Sequence, residues 1–259
     1  MPLLDSIATP ADLRQLSIEQ LGELAQEIRE AIFNQVSRTG GHLAPNLGVV
    51  ELTIALHYVF DFSKDRLLFD VGHQCYPHKL LTGRRPLLEH LRTRRGMAGF
   101  PEPNESSYDL FSVGHAGTGI STAVGMARGD ALNGEAFDPT TNPNGRRVVS
   151  LIGDASIVNG VAMEGLNNAG TLKRQFLVVL NDNAMSISPN VGALSRNVNK
   201  LRIDPVYRNA KREIGTMVEH IPLGKQMWQG AKRVKASMRD LLVPASFWEQ
   251  FGFEYYGPI

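Results

Sequence analysis

Apolar residues at Leu21, Leu24, Ile28 and Ile32 recur at helical spacing. Just ahead of them, Ser17-Ile18-Glu19-Gln20 fits a capping box, with Ser17 placed to accept from the third helical amide. The pattern predicts a first helix that ends at Gly40-Gly41. A second helical stretch is expected from about Val49 to Phe60, with Leu52, Ala55, Leu56 and Val59 on one face. Arg66 to Gly72 reads as a short buried strand ending in glycine, Val148 to Ile152 as a second, and Phe176 to Leu180 as a third. Between them lie a small-residue helix from Gly117 to Ala131 and another from about Val161 to Ala169.

Strands that alternate with helices of this length imply βαβ units, hence an α/β fold with a mostly parallel sheet flanked by helices on both faces. The polar, turn-rich run from Asn133 to Arg147 is a surface excursion. Val198 to Leu242 is helical in tendency and carries Lys211, Arg212, Lys232, Arg233, Lys235 and Arg239. Aromatic residues are sparse there, which favours a solvated helical face over a nucleic-acid surface.

Composition narrows the function classes. At 259 residues, 42% apolar and 20% charged, the chain can bury a sizeable core, which excludes disorder throughout. A net charge of +1 offers no general electrostatic attraction to nucleic acid or to an anionic membrane. No apolar run reaches the ~18–20 residues needed to cross a bilayer. The N-terminus lacks a basic region followed by an apolar one, so no signal peptide is read there. The single cysteine, Cys75, excludes an internal disulfide framework and a Cys-rich zinc site, and reads as a small buried residue.

Candidate chemistry collects where the strands end. Leu151-Ile-Gly-Asp-Ala-Ser-Ile-Val-Asn-Gly160 and Val178-Val-Leu-Asn-Asp-Asn-Ala-Met-Ser-Ile-Ser188 each begin as an apolar strand and break at small or polar residues. Ligands of parallel sheets gather beyond the carboxyl ends of strands. If the second and third strands are neighbours, Asp154 and Asn183 converge, and the Met185 carbonyl can add a third oxygen. Such a set suits a hard cation, Mg²⁺, shared with phosphate oxygens. A helix starting near Gly160 would aim free amides at the same point, which suits a diphosphate. The same Asp and Asn would also serve as ordinary turn caps. Three glycine-flanked histidines, His42, His73 and His115, add phosphate-bonding and proton-shuttling capacity in similar loop contexts.

At these residues the chain resembles the 1-deoxy-D-xylulose-5-phosphate synthases. The resemblance rests on the run from Thr39 to Thr53 with Gly40-Gly41-His42, on Asp70-Val-Gly-His-Gln with Tyr76-Pro-His-Lys and Leu81-Thr-Gly-Arg84, on Leu180 to Leu194, and on Phe247 to Pro258. It implies a thiamine-diphosphate-binding fold and an enzyme that joins pyruvate to D-glyceraldehyde 3-phosphate with loss of CO₂. The product, 1-deoxy-D-xylulose 5-phosphate, feeds isoprenoid, thiamine and pyridoxal phosphate synthesis. By motif, Asp154, Asn183 and Met185 correspond to the Mg²⁺ ligands. Ala155, Ser156, Gly114, His115, Ala116, His73 and Asn183 correspond to cofactor contacts, and His42 and His73 to the active-site histidines. The resemblance also implies a cytoplasmic homodimer without nucleic-acid or membrane partners.

Two departures stand out. Ala155 occupies a position where the family has a phosphate-touching glycine, which would carry a penalty if that backbone needs a positive φ or a very close approach to the phosphate. Residues 1–259 correspond to one N-terminal diphosphate-binding domain, cut before its last strand, without the pyrimidine-binding and C-terminal domains. The chain alone is therefore expected to be inactive. Alternatives are a non-catalytic cofactor-binding or dimerising fragment, and one subunit of a split transketolase-like enzyme.

Overall fold

The computed structural model describes residues 2–172, 175–182, 192 and 247–256. The chain divides into two compact units, Met1–Met185 and Ser186–Ile259. In the second unit the described residues form one short helix, Phe247–Gln250, closed by the Phe251 and Gly252 amides donating to the Trp248 and Glu249 carbonyls. The helical tendency expected for Val198 to Leu242 lies outside the described residues, as do Asn183 and Met185.

The first unit is built on three parallel strands in spatial order β1 (Arg66–Phe69), β2 (Val148–Gly153) and β3 (Phe176–Asn181). Leu67 pairs with Val149 and Phe69 with Leu151, and Gly153 pairs with Asn181. Both faces of β1 and β2 are buried, as their largely apolar character requires, with Ser150 the polar exception inside β2. Leu67, Phe69, Val149 and Leu151 belong to a large core shared with helices α1 (Ile18–Thr39) and α3 (Val50–Val59). Leu68 and Val148 pack on the other face with Ala123 and Ala127 of helix α5 (Gly119–Leu132). The short helices α2 (Ala44–Leu47) and α4 (Tyr76–Lys79) lie in the connections, and α6 (Asp154–Ile157) and α7 (Gly160–Ala169) carry the chain from β2 to β3.

Helix α1 begins as its sequence dictates. Ser17 Oγ accepts from the Gln20 amide at 3.3 Å, and Gln20 Oε1 accepts from the Ser17 amide at 2.9 Å. Leu24, Ile28 and Ile32 are fully buried, and Gly40 ends the helix at φ 74°. Ser17→Ala is expected to lower stability by about 1 kcal/mol, read as a lower urea midpoint at unchanged slope.

Helix α3 keeps half of the expected face: Leu56 is buried and Leu52 packs against the core, but Ala55 and Val59 are exposed, while Val50, Thr53, Ile54 and His57 are buried instead. The reason is polar. His57 turns inward to a hydrogen bond with another buried histidine, and that rotation carries Val59 out to solvent. The excursion from Asn133 to Arg147 is a pinned surface loop, with Asp138 and Asn142 exchanging backbone bonds and the Arg147 guanidinium over the Phe137 ring at 3.7 Å.

Candidate functional site

The chain leaves β1 and β2 side by side at the carboxyl end of the sheet. After β1 comes Asp70, 1% exposed, whose Oδ1 accepts from the Gly117 amide at 3.0 Å and whose Oδ2 accepts from the Gly119 amide at 2.8 Å. One carboxylate thereby holds the segment before α5 and satisfies donors at that helix start. Val71 and Gly72 follow at φ 60° and 83°. For a β-branched residue such a backbone is strained, and it persists only where the surroundings over-determine it. The turn delivers His73.

His73 meets His42, which lies just after the α1 C-cap. Their rings stand edge to face, with centroids 5.7 Å apart. Asn46, fully buried, ties both backbones together: its Nδ2 donates to the His42 carbonyl at 2.6 Å and to the His73 carbonyl at 2.8 Å. Its Oδ1 accepts from the Tyr76 amide at 2.8 Å. Phe100 packs edge-on against His42 at 5.3 Å. Burial lowers the pKa of His42, helped by the Arg92 charge. Burial also lowers that of His73, with His42 adding to it and Asp70 opposing. Both rings are therefore neutral at neutral pH, each with one donor and one acceptor nitrogen. His73 Nδ1 is buried without a hydrogen-bond partner among the described residues.

Asp154, 5% exposed, opens α6 directly after β2. Because Gly153 pairs with Asn181, the carboxyl end of β3 lies beside it. Among the described residues no group of three or more His, Cys, Asp or Glu side chains could hold a metal. Asp154 itself offers carboxylate oxygen, a donor that suits a hard cation shared with phosphate oxygens.

Two expectations change here. Ala155 lies inside the helical turn of α6 and is not among the positive-φ residues, so its methyl brings no backbone strain. The amides at the start of α7 are not all free, since Asn159 Oδ1 accepts from the Val161 amide at 2.9 Å. The same Asn159 side chain fills the space beside Gly117, where a Cβ would stand 2.5 Å from Asn159 Cγ, and so joins the 114–117 and 154–160 segments. His115 makes no ring contact with His42 or His73 among the described residues, and Gly114, His115 and Ala116 are all exposed. Ser156, like Ala155, is half-buried.

Beneath the site runs a buried polar chain that sequence reading missed. His57 Nε2 lies 2.9 Å from His78 Nδ1, and His78 Nε2 lies 2.9 Å from Asp109 Oδ1. Arg84 grips Asp109 through both Nη atoms, at 2.5 and 2.9 Å. Lys79 Nζ donates to Glu105 Oε2 at 2.6 Å. These carboxylates also accept from the Ala98 amide (Glu105, 2.5 Å) and the Glu102 amide (Asp109, 2.7 Å), on either side of Phe100. The available signal was the concentration of charge in Tyr76-Pro-His-Lys and Arg84, which an ordinary buried helix would not carry. Asn46, Tyr76 and Asn159 had no such signal, because their roles depend on which loops meet. Cys75 is buried as expected, and burial pushes its thiol up to about 12.

Comparison with known proteins adds an independent line. Residues 4–259 match the family described as 1-deoxy-D-xylulose-5-phosphate synthase. The chain is 50% identical over 260 residues to the 1-deoxy-D-xylulose-5-phosphate synthase of Desulforudis audaxviator, covering 100% of this chain and 40% of that protein. It is 48% identical over 259 residues to that of Carboxydothermus hydrogenoformans, again covering 100% and 40%. The chain thus spans about two fifths of the length of these relatives. Among solved structures, transketolase from Leishmania mexicana is similar at TM-score 0.57 and 25% identity, over 66% of this chain and 28% of that one. Transketolase from Campylobacter jejuni gives 0.55 and 25%, over 68% and 30%.

Proposed function

The chain belongs to the 1-deoxy-D-xylulose-5-phosphate synthase family, and on that premise we propose that it is the diphosphate-binding part of a thiamine-diphosphate enzyme. The whole protein would join pyruvate to D-glyceraldehyde 3-phosphate with release of CO₂. The observation that carries this reading is the adjacency of β1 and β2 at their carboxyl ends: the loop after β1 carries His73, which stands against His42 from the end of α1, and buried Asp154 follows β2 directly.

In this reading Asp154, with Asn183 and the Met185 carbonyl, would hold a Mg²⁺ ion that would neutralise the charge of the diphosphate. Ala155, Ser156, Gly114, His115 and Ala116 face the diphosphate, and His73 with its orphan Nδ1 takes a polar atom of the cofactor. Thiamine diphosphate supplies the carbanion chemistry that protein side chains lack. The chain's own residues position and neutralise. The Asp70 clamp holds the 114–117 segment, the Asn46 bonds keep His42 and His73 at fixed separation, and their low pKa values keep both rings uncharged beside the substrate. A neutral imidazole can give a proton to a developing alkoxide or take one from a hydroxyl.

Calorimetric titration of the chain with thiamine diphosphate tests the metal and cofactor assignment. With Mg²⁺ present, saturable binding is expected, and chelation by EDTA should weaken it at least tenfold. Asp154→Ala in Mg²⁺ should reproduce the EDTA result. Binding indifferent to both changes would overturn the placement of the metal.

A further inference from the structure

We propose that Tyr76 is a positioning residue that locks His42 in a single neutral tautomer, protonated at Nε2, so that His42 meets its substrate as a hydrogen-bond donor. The proposal rests on the reading of His42 as a substrate-facing residue and says what that residue does there. The geometry is local. Tyr76 is fully buried. Its Oη accepts from the His42 backbone amide at 3.3 Å and lies 3.4 Å from His42 Nδ1. The Tyr76 amide is pinned in turn by Asn46 Oδ1 at 2.8 Å, and Asn46 also holds the His42 carbonyl. The phenol and the imidazole are therefore fixed to each other through one buried amide.

Donor and acceptor counting then decides the tautomer. The His42 amide can only donate, so it uses a lone pair of Tyr76 Oη. The phenol proton needs an acceptor, and His42 Nδ1 is the acceptor within reach among the described residues. If Nδ1 carried the ring proton instead, two donors would converge on Oη and the buried phenol proton would be unpaired, a cost of about 1–3 kcal/mol. The phenol proton therefore goes to Nδ1, and the ring proton sits on Nε2. No hydrogen bond among the described residues engages Nε2. The groups around the ring agree with a neutral state: Arg92 adds positive charge, and His73 and Phe100 pack against the ring without an ion pair.

The chemical consequence is a division of labour. A neutral His42 with hydrogen on Nε2 donates to an oxygen, the carbonyl or developing alkoxide of a keto- or aldehyde-bearing substrate. It cannot act there as the base that first removes a proton. Phosphate oxygens would also accept this bond, but the nitrogen delivers one proton and no full charge.

Long-range ¹H–¹⁵N correlation on the 259-residue chain, labelled at histidine, reads the tautomer without cofactor or substrate. Wild type should show His42 Nδ1 with the shift of an unprotonated, hydrogen-bonded nitrogen and Nε2 with that of a protonated one. A wild-type spectrum with the proton on Nδ1 overturns the proposal by itself, even if no variant folds. In Tyr76→Phe the ring packing is kept and the hydroxyl removed. The Nδ1 shift should move towards that of a ring averaging both tautomers. The His42 titration midpoint should rise by about half a pH unit, the scale of one lost neutral hydrogen bond. An unchanged Nδ1 shift and midpoint in a folded Tyr76→Phe would show that the phenol only packs. The readout also separates this inference from the proposed function. If the tautomer is as stated but thiamine diphosphate does not bind, the function fails and the lock stands; the reverse result removes the lock alone.

Discussion

Asp109→Ala should destabilise the chain by about 3–5 kcal/mol, because it strips one partner from a buried ion cluster and leaves the others charged. Arg84 would lose both of its bonds to the carboxylate, His78 Nε2 its acceptor, and the Glu102 amide its partner. Lys79, fully buried, would keep Glu105 but lose the second carboxylate 3.9 Å away. Burial works to raise the Asp109 pKa, but the bonds from His78 and Arg84 and the Arg84 charge outweigh it and hold the carboxyl well below the usual carboxylate range. A depressed carboxylate contributes stability above its unfolded pKa, and that stability is lost as pH falls. His57 and His78, both lowered chiefly by burial, act in the same direction, since each must take up a proton on unfolding in acid. Stability should therefore decline from about the ordinary histidine value of 6.5 downward, with Asp109 adding its share below 3.8. Urea midpoints measured from pH 7 down to pH 3 check both points. An Asp109→Ala chain as stable as wild type at pH 7 would mean that the cluster does not hold the fold.

Gly72→Ala should cost about 2–5 kcal/mol and displace His73. Two penalties add. The backbone sits at φ 83°, where an L side chain pays roughly 1–2 kcal/mol. The new Cβ would also stand 2.5 Å from Pro101 Cδ and 2.6 Å from Val113 Cγ2, an overpacking worth about 1–3 kcal/mol. The proline ring cannot swing away like a long side chain, so the turn itself must yield, and His73 is the next residue. Thermal unfolding reads the loss, and the His73 ring shifts read the displacement. A folded Gly72→Ala with native stability and an unmoved His73 would show that the turn is softer than its geometry implies.

Much of the α/β frame was legible because it depends on local pattern. Apolar runs marked β1, β2 and β3 to within a residue or two, except that β1 ends at Phe69 rather than at the glycine. The capping box and Gly40 marked both ends of α1. The face of α3 was only half legible, because a 10-residue helix rich in apolar residues has no single apolar stripe, and the burial of His57 chose its rotation. The strain expected at Ala155 depended on a backbone angle, which residue type alone does not specify, and the helical turn of α6 removed it.

The candidate site divides along the same line. Residue order alone put His42 and His73 beside glycines and Asp154 at a strand end, since those are properties of neighbours in sequence. Only tertiary structure decided that His42 and His73 touch, that Asn46 binds both, and that Tyr76 fills the hydrogen-bonding capacity of His42 Nδ1. The same holds for Asp70 reaching Gly117 and Gly119, 47 and 49 residues away. The physical reason is common to all of these contacts. A buried polar atom must find a partner, and across long sequence separations the partner is chosen by how strands and loops pack, which no local pattern encodes.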